Sequence, residues 1–487
     1  QWNGFFRHFL RPFLPAGTSL NQAEIYIHTT GNGICHYNTG DMINVGVTFP
    51  KAFIPVFKNA FTHWKEIEGT TGHFQLNRTV ALHRVLCRIT GDEWDPDNPV
   101  FFTEDIVNGE IKMLADLKTW TLSFPHPLRL KRPVSFKDPN HIYCDPAFFL
   151  TAHANDIINH LLYGLGPGNN HSLPPLSLSV ENAGVLWLDV LYDDRNKNIG
   201  GLVGGIRFNG KLNFERARLL VLGQYTGIGK ATGFGNGFYI IKELSSVRRI
   251  LPLSGSGLFF HQAINDKTLE NALEDLNDTT PGLDDLTLED LKRAGNPWLK
   301  KLEEEIKAGI YTPGKVRECV IPKKDFKQRT LFIGSIIDRL VQRTIASALS
   351  VGLDSIFSPS SFAYRKGRNR TDAAIAVKEA FRKRFCSGIK TDITSFFDSV
   401  NTEKLLLMLE ALFNYDPIIT LIKAWIESSK AQGIGGLQQG SPLSPVLSNL
   451  YVTPFDREMQ LAGFRLIRYA DELVLLSKEK EFSNNNT

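Results

Sequence analysis

The stretch RLIRYADELVLLS, Arg465 to Ser477, constrains the fold most tightly, because it places two neighbouring carboxylates where the chain must turn. Two β-rich runs flank Tyr469-Ala470-Asp471-Glu472, a pattern that predicts a hairpin with the acids at its tip. Adjacent carboxylates repel each other unless a cation lies between them. A third carboxylate, Asp392, ends a short strand predicted within GIKTDITSFFDSV, Gly388 to Val400, with Phe396 and Phe397 following at once. Three acids on neighbouring strands suit two Mg²⁺ ions, the clamp used for in-line phosphoryl transfer. Acids at solvated strand ends are the competing reading of the same residues.

Between the two halves lies Gly436-Leu437-Gln438-Gln439-Gly440-Ser441-Pro442-Leu443-Ser444-Pro445, a Gly/Pro-punctuated turn that runs into the apolar stretch Val446 to Val452. This order resembles the palm of reverse transcriptases, most closely the bacterial group II intron-like branch. There an Asp precedes FFD, a PQG-SP loop precedes a helix, and YADD follows. The resemblance implies that Asp392, Asp471 and Glu472 are catalytic metal ligands. It makes Phe397 the residue that excludes or admits a ribose 2′-OH, and puts Gln439 in the loop lining nucleotide and template. Two positions depart from the pattern: Gln438 replaces the usual Pro, and Glu472 replaces the second Asp, setting its carboxylate one methylene further out.

A chain of 487 residues predicts more than one domain. No apolar run approaches the length of a membrane span. Cys35, Cys87, Cys144, Cys319 and Cys386 show no CxxC pairing, which suits a reducing cytoplasm and speaks against a zinc ribbon. A net charge of +4 says little about partners by itself. The chain starts at Gln1 and lacks a signal-peptide pattern, so a start further upstream is expected.

In the first half, AEIYIHTT and MINVGVTF read as strands bracketing the turn Tyr37 to Asp41. Ala52 to Trp64 reads as an amphipathic helix with Phe53, Val56, Phe57, Ala60 and Phe61 on one side. Strands are predicted over Thr79 to Ile89, Thr119 to Phe124 and Phe238 to Ile241, and helices around Ala147 to Leu162 and Phe214 to Leu222. Pro127 to Pro133 reads as basic and extended. Alternation of this kind predicts α+β modules of the ferredoxin-like type. The run Gly227-Ile228-Gly229-Lys230-Ala231-Thr232-Gly233-Phe234-Gly235-Asn236-Gly237 is the informative one. Alternate glycines leave backbone N–H groups free to cradle phosphates, and Lys230 adds a charge. It lacks the GK[ST] ending of a P-loop, and its glycines precede a strand, unlike a Rossmann fingerprint. A plain glycine-rich hairpin remains the alternative.

This loop, its preceding helix, the basic Pro127 segment and the Tyr37 turn together resemble the CRISPR repeat-processing endoribonucleases of the RAMP superfamily, over roughly Ala23 to Leu244. The resemblance implies tandem ferredoxin-like folds and contact between RNA and the loop, through Gly227, Gly229, Lys230, Gly233, Gly235 and Gly237. It also implies cleavage that needs no cofactor, with a side-chain base activating the RNA's own 2′-OH. No local motif marks that base. His8, in a basic apolar stretch, and His28, on the first strand, are candidates, each with a structural or surface role as its alternative.

Ser254-Gly255-Ser256-Gly257 reads as a connector. Asn265 to Glu289 is acidic with helical leucine spacing and reads as a solvated helix pair. From Tyr311 to Lys390 basic residues outnumber acidic ones roughly three to one, the footprint of a phosphate-binding surface. Ile321 to Arg329 reads as strand, cationic tip, strand. The family resemblance assigns the triphosphate to Lys323 and Arg329, with Lys324 as a rival for the first. Ser361 to Arg368 is similar to the family's FRPGRS loop, which implies that Arg365 and Arg368 contact template or incoming nucleotide.

The expected architecture is therefore an α+β chain in three parts. Residues 1–245 form the RAMP-type endoribonuclease with tandem ferredoxin-like folds, 246–258 a linker, and 259–487 the fingers and palm of a reverse transcriptase, with no thumb segment after the hairpin. Such an order resembles the CRISPR adaptation fusions of type III systems, which implies RNA template, DNA primer and repeat RNA as substrates. An integrase domain, downstream or separate, and its small partner subunit are the implied partners. Two alternatives stay open: a first half that binds RNA without cutting it, and a free-standing intron maturase.

Overall fold

The structure, a computed structural model, describes residues 10–16, 25–29, 45–66, 85, 87, 93–101, 104–131, 143–164, 175–191, 198–230, 232, 236–244, 258–276, 280–322, 328–354, 356–413 and 416–478. The connector expected near 246–258, the turn at 37–41, most of 79–89 and the 323–327 tip lie outside them. Two compact units divide the chain, the first built mainly from residues up to 256 and the second mainly from 257 onward.

In the first unit, β1 (Tyr26–Thr29) pairs antiparallel with β2 (Val45–Thr48). The apolar face of α1 (Ile54–Glu66) buries Phe57, Ala60 and Trp64 against Leu10, Leu14 and Ile25. These are the helical intervals at which one face meets a core. Then follow α2 (Glu104–Asp116), β3 (Thr119–Leu128), α3 (Pro146–Thr151), α4 (Ala154–Tyr163), β4 (Ser179–Leu191), β5 (Asn198–Asn209), α5 (Phe214–Thr226) and β6 (Ile240–Ile241). The sheet order β4-β5-β3-β6 is antiparallel throughout. With helices after β3 and after β5, this is the split βαβ arrangement of a ferredoxin-like fold. The helix expected around Ala147–Leu162 is two helices, because Ala152 and His153 are extended (ψ 149° and 147°).

The long strands β4 and β5 have no counterpart in the sequence reading. Gly200, Gly201, Gly204 and Gly205 give β5 the look of a loop. In the sheet they permit close approach: a Cβ on Gly204 would sit 2.1 Å from the Gly184 carbonyl oxygen, and one on Gly201 2.8 Å from Pro127 Cβ.

The second unit opens with α6 (Leu258–Ala263), α7 (Asp266–Glu274), α8 (Leu288–Ala294) and α9 (Asn296–Lys307). Of the acidic segment, α7 is helical and residues 280–287 are not, and α8 begins only where Thr287 and Asp290 form a capping box. The hairpin of β7 (Arg317–Pro322) and β8 (Gln328–Ile333) leads into α10 (Ile336–Leu353) and α11 (Arg370–Arg382). Next come β9 (Ser387–Asp392), α12 (Thr402–Leu412), α13 (Ile418–Ala431), α14 (Ser444–Leu461), β10 (Arg465–Tyr469) and β11 (Glu472–Ser477). The sheet order is β10-β11-β9, antiparallel, and α11 lays Ala373, Ala376 and Ala380 against Ile467 and Leu476. One buried pair locks the layers. The Arg468 guanidinium donates to both Asp456 oxygens at 2.8 and 2.7 Å and to Asn449 Oδ1 at 2.8 Å, tying β10 to α14. A bidentate pair of this kind fixes geometry as well as charge. No helix among the described residues is long and apolar enough to cross a membrane.

Candidate active site

Register brings the acids together. The last β10–β11 pair is Tyr469↔Glu472, so Ala470 and Asp471 form a two-residue turn, and Ala470 takes φ 60°, a left-handed conformation. Arg468 Nη1 braces that turn by donating to the Ala470 carbonyl at 3.2 Å. Across the sheet Glu472 stands directly opposite Asp392, and the Ile393 N–H donates to the Asp471 carbonyl at 3.0 Å. Three carboxylates therefore share one end of the sheet, Asp392 and Glu472 exposed and Asp471 half-buried. Lys390 lies two residues before Asp392, on the same face of β9, with its Nζ 3.7 Å from Glu472 Oε2. Both side chains are more than half exposed, so the pair is weak. Among the described residues no three His, Cys, Asp or Glu side chains are drawn into a metal-holding cluster. The donor set itself, hard carboxylate oxygens at one end of the sheet, is of the kind that suits a hard divalent cation.

The Gly436 loop brackets the elements around this end. Gly436 has φ 60°, and a Cβ there would lie 2.2 Å from the Phe397 carbonyl oxygen and 2.6 Å from that of Asp398. The Leu437 N–H donates to the Phe397 carbonyl at 2.9 Å. The same loop grips β8 from both sides of Phe332: its N–H donates to the Gln439 carbonyl at 2.8 Å, and its carbonyl accepts from Gln438 Nε2 at 2.8 Å. Gln438, which departs from the family's Pro, thus makes a side-chain bond that Pro lacks. Half-buried Phe397 is held in the turn after β9, its ring 5.2 Å from that of buried Phe396.

Two expected nucleotide residues meet here: Arg329 Nε donates to Gln439 Oε1 at 3.1 Å. Gln439 Nε2 in turn donates to Asp398 Oδ1 and Oδ2, each at 3.1 Å. Asp398 was not singled out from sequence, though it completes the FFD triplet. Tyr364 was missed as well. It is exposed with φ 59°, an unusual conformation for a bulky residue. Burial of its hydroxyl and then the Asp471 charge push its pKa up, which places it in the field of the acidic tip. Lys323 and its rival Lys324 lie outside the described residues.

Arg365 and Arg368 are both engaged within the protein. Arg365 is buried, its Nε 2.7 Å from Asp354 Oδ1 and its Nη1 donating to the carbonyls of Ser358 and Ser361 at 2.8 and 3.0 Å. Arg368 Nη1 donates to the Pro359 carbonyl at 2.7 Å and to that of Ser361 at 3.2 Å. Both brace their own loop, because its turn leaves carbonyls that need donors.

In the first unit the glycine run also differs from expectation. The N–H groups of Gly227, Ile228, Gly229, Lys230 and Gly237 donate at 2.8 to 3.0 Å to the carbonyls of Gly223, Gly237, Gly164, Arg129 and Pro127, respectively. They are committed to the protein and do not form an open phosphate cradle. Gly227, Gly229 and Gly237 have φ 74°, 84° and 76°, and a Cβ on Gly237 would lie 1.9 Å from the Ile228 carbonyl oxygen. Lys230 keeps an exposed side chain. Gly233 and Gly235 lie outside the described residues, as does His8. His28 is on β1 opposite Gly46, which fixes its backbone alone.

Comparison with known proteins then sorts the two units. Residues 321–485 match the family model "Reverse transcriptase (RNA-dependent DNA polymerase)". Residues 47–239 match "CRISPR-associated endoribonuclease Cas6". The chain is a Cas6–reverse transcriptase fusion. Two solved structures share the fold of the whole fusion, each with a TM-score of 0.64 and 20% identity over 98% of the chain. They are a partial Cas6-RT-Cas1–Cas2 complex, 84% of whose chain is covered, and a Cas6-RT-Cas1–Cas2 complex, covered to 52%. Among curated relatives, Protein YkfC of Escherichia coli K12 is 29% identical over 198 residues, 38% of the fusion. The group II intron-encoded protein LtrA of Lactococcus lactis subsp. cremoris is 25% identical over 185 residues, 36% of the fusion. The fusion spans 52% of the length of the first and 30% of the second.

Proposed function

We propose that the second unit copies RNA into DNA and that the first cuts CRISPR repeat RNA without a metal. The observation that carries the polymerase half is the register pairing Asp392 with Glu472, with Asp471 at the adjoining tip. Reverse transcriptase domains generally use divalent metals. Asp392, Asp471 and Glu472 would hold two Mg²⁺ ions, which supply charge neutralisation for the triphosphate and a more acidic primer 3′-OH. Arg329, with Lys323, receives the triphosphate as donor and charge. Phe397 sits where a ring of its size discriminates a 2′-OH, and Gln439 lines the nucleotide. Tight placement of these groups is itself a large part of such catalysis.

In the first unit the nucleophile comes from the RNA, so a positioned side-chain base, His8 or His28, is sufficient chemistry. Lys230 and the loop surface, including Gly233 and Gly235, meet the RNA backbone. We place the domains at residues 1–245 and 259–487 with a linker at 246–258, in the cytoplasm. Partners follow from the two similar complexes, whose titles name Cas1 and Cas2: an integrase, in the same chain or separate, and its small subunit. RNA template, DNA primer and repeat RNA are the substrates.

The test is primer extension with Asp392→Asn and Asp471→Asn in the longest natural form of the protein. Each change removes a charged ligand and should lower extension by orders of magnitude. Near-normal extension by either variant refutes the metal-site assignment.

A further inference from the structure

We infer that Asp398 is a positioning residue for nucleotide capture, acting through Gln439 on Arg329; the inference rests on the polymerase reading above. A glutamine carboxamide has an accepting oxygen at one end and two N–H donors at the other. In this site one end faces a carboxylate, which only accepts, and the other faces a guanidinium, which only donates. Gln439 Nε2 lies 3.1 Å from both Asp398 oxygens, and Gln439 Oε1 lies 3.1 Å from Arg329 Nε. The reverse orientation would set oxygen against two carboxylate oxygens and N–H against N–H. The chemistry of the two neighbours therefore fixes the orientation of the amide.

The rest of the bracket holds both ends of this relay. The Gln439 backbone is pinned by the Phe332 N–H, three residues along β8 from Arg329. The Asp398 backbone is held against Gly436, where no Cβ fits. Arg329 is exposed and spends Nε on Gln439, which leaves the N–H groups of its two terminal nitrogens to meet an incoming anion. A guanidinium docked through Nε is preorganised, so less side-chain freedom is lost when it meets a phosphate. Asp398 itself touches neither substrate nor metal in this scheme.

Steady-state extension on an RNA template by the full chain, with deoxynucleotide concentration varied, tests the relay. Asp398→Ala should raise the nucleotide KM by about three- to tenfold, the range for losing one hydrogen bond of ordinary net strength at an exposed site, and leave kcat within about twofold. Asp398→Asn keeps the shape and one accepting oxygen, and should fall between wild type and Asp398→Ala. The decisive arm is the double variant. If Asp398 acts through Gln439, then Asp398→Ala adds nothing to Gln439→Ala. Additive losses, an unchanged KM, or a fall in kcat alone would overturn the relay. Absence of extension by the wild-type chain would instead remove the polymerase reading beneath it.

Discussion

Gly436 and Gly433 share a left-handed backbone, φ 60° and 78°, and differ in what surrounds them. Around Gly433 nothing lies within 4 Å of the space a Cβ would fill. Gly433→Ala should therefore cost only the left-handed penalty, about 1–2 kcal/mol. Gly436→Ala must also push back the carbonyls of Phe397 and Asp398, at 2.2 and 2.6 Å, so its cost should exceed about 3 kcal/mol, with reduced extension. Thermal unfolding midpoints of the two variants check this ranking; equal midpoints would show that the loop yields freely. Single residues were unevenly legible in the sequence. Asp392, Asp471 and Glu472 stood out because strand ends and a hairpin tip are written in local pattern. The loop-bracing bonds of Arg365 and Arg368 were not legible, since charge pattern cannot say whether a guanidinium meets its own loop's carbonyls. Asp398 and Tyr364 escaped because their roles depend on neighbours far along the chain.

Among the elements, short helix α6 depends on a carboxylate more than 150 residues away. Asp416 accepts from the Phe259 and Phe260 N–H groups at 2.9 and 3.2 Å, satisfying the first amides of the helix. Burial pushes its pKa from an ordinary 3.8 to about 6, against the pull of these backbone N–H groups and that of Ile418. Between those values the folded chain keeps a proton that the unfolded chain has released. The stability contributed by this group is thus complete below about pH 4 and is lost as pH rises through about 6, a change on the order of 3 kcal/mol. Asp416→Asn should flatten the rise of unfolding temperature on acidification between pH 6 and 4; an unchanged slope would assign that dependence to other groups. The strands β9, β10 and β11 and helices α1 and α5 were legible from their periodicity. Strands β4 and β5 were not, because glycines that admit neighbouring strands look in sequence like glycines that make turns. The acidic segment misread for a related reason: leucine spacing suggested a helix where a Pro-Gly turn at Pro281 and Gly282 interrupts it.

For the molecule as a whole, the proposed function gives one chain two chemistries with different needs. Removal of divalent cations by EDTA should abolish cDNA synthesis and leave repeat-RNA cleavage running, with a 2′,3′-cyclic phosphate on the product. Cleavage that stops with EDTA and returns with Mg²⁺ would refute the metal-independent half. The order of the two units was legible because each carries a distinctive run, one glycine-rich and one acidic. The manner in which the glycine run is held was not, because sequence shows which amides exist and not which carbonyls they find. That holding has a consequence for how such chains diverge. Every replacement reachable from glycine brings a side chain. At Gly237 any side chain collides with a carbonyl of the chain itself, whatever RNA is or is not bound. Purifying selection would keep the glycine in a lineage that had lost its nuclease as firmly as in one that had kept it. Invariance at this position therefore records the folding of the loop, and an evolutionary test for RNA contact has to look instead at Lys230, where the side chain is exposed and free to drift.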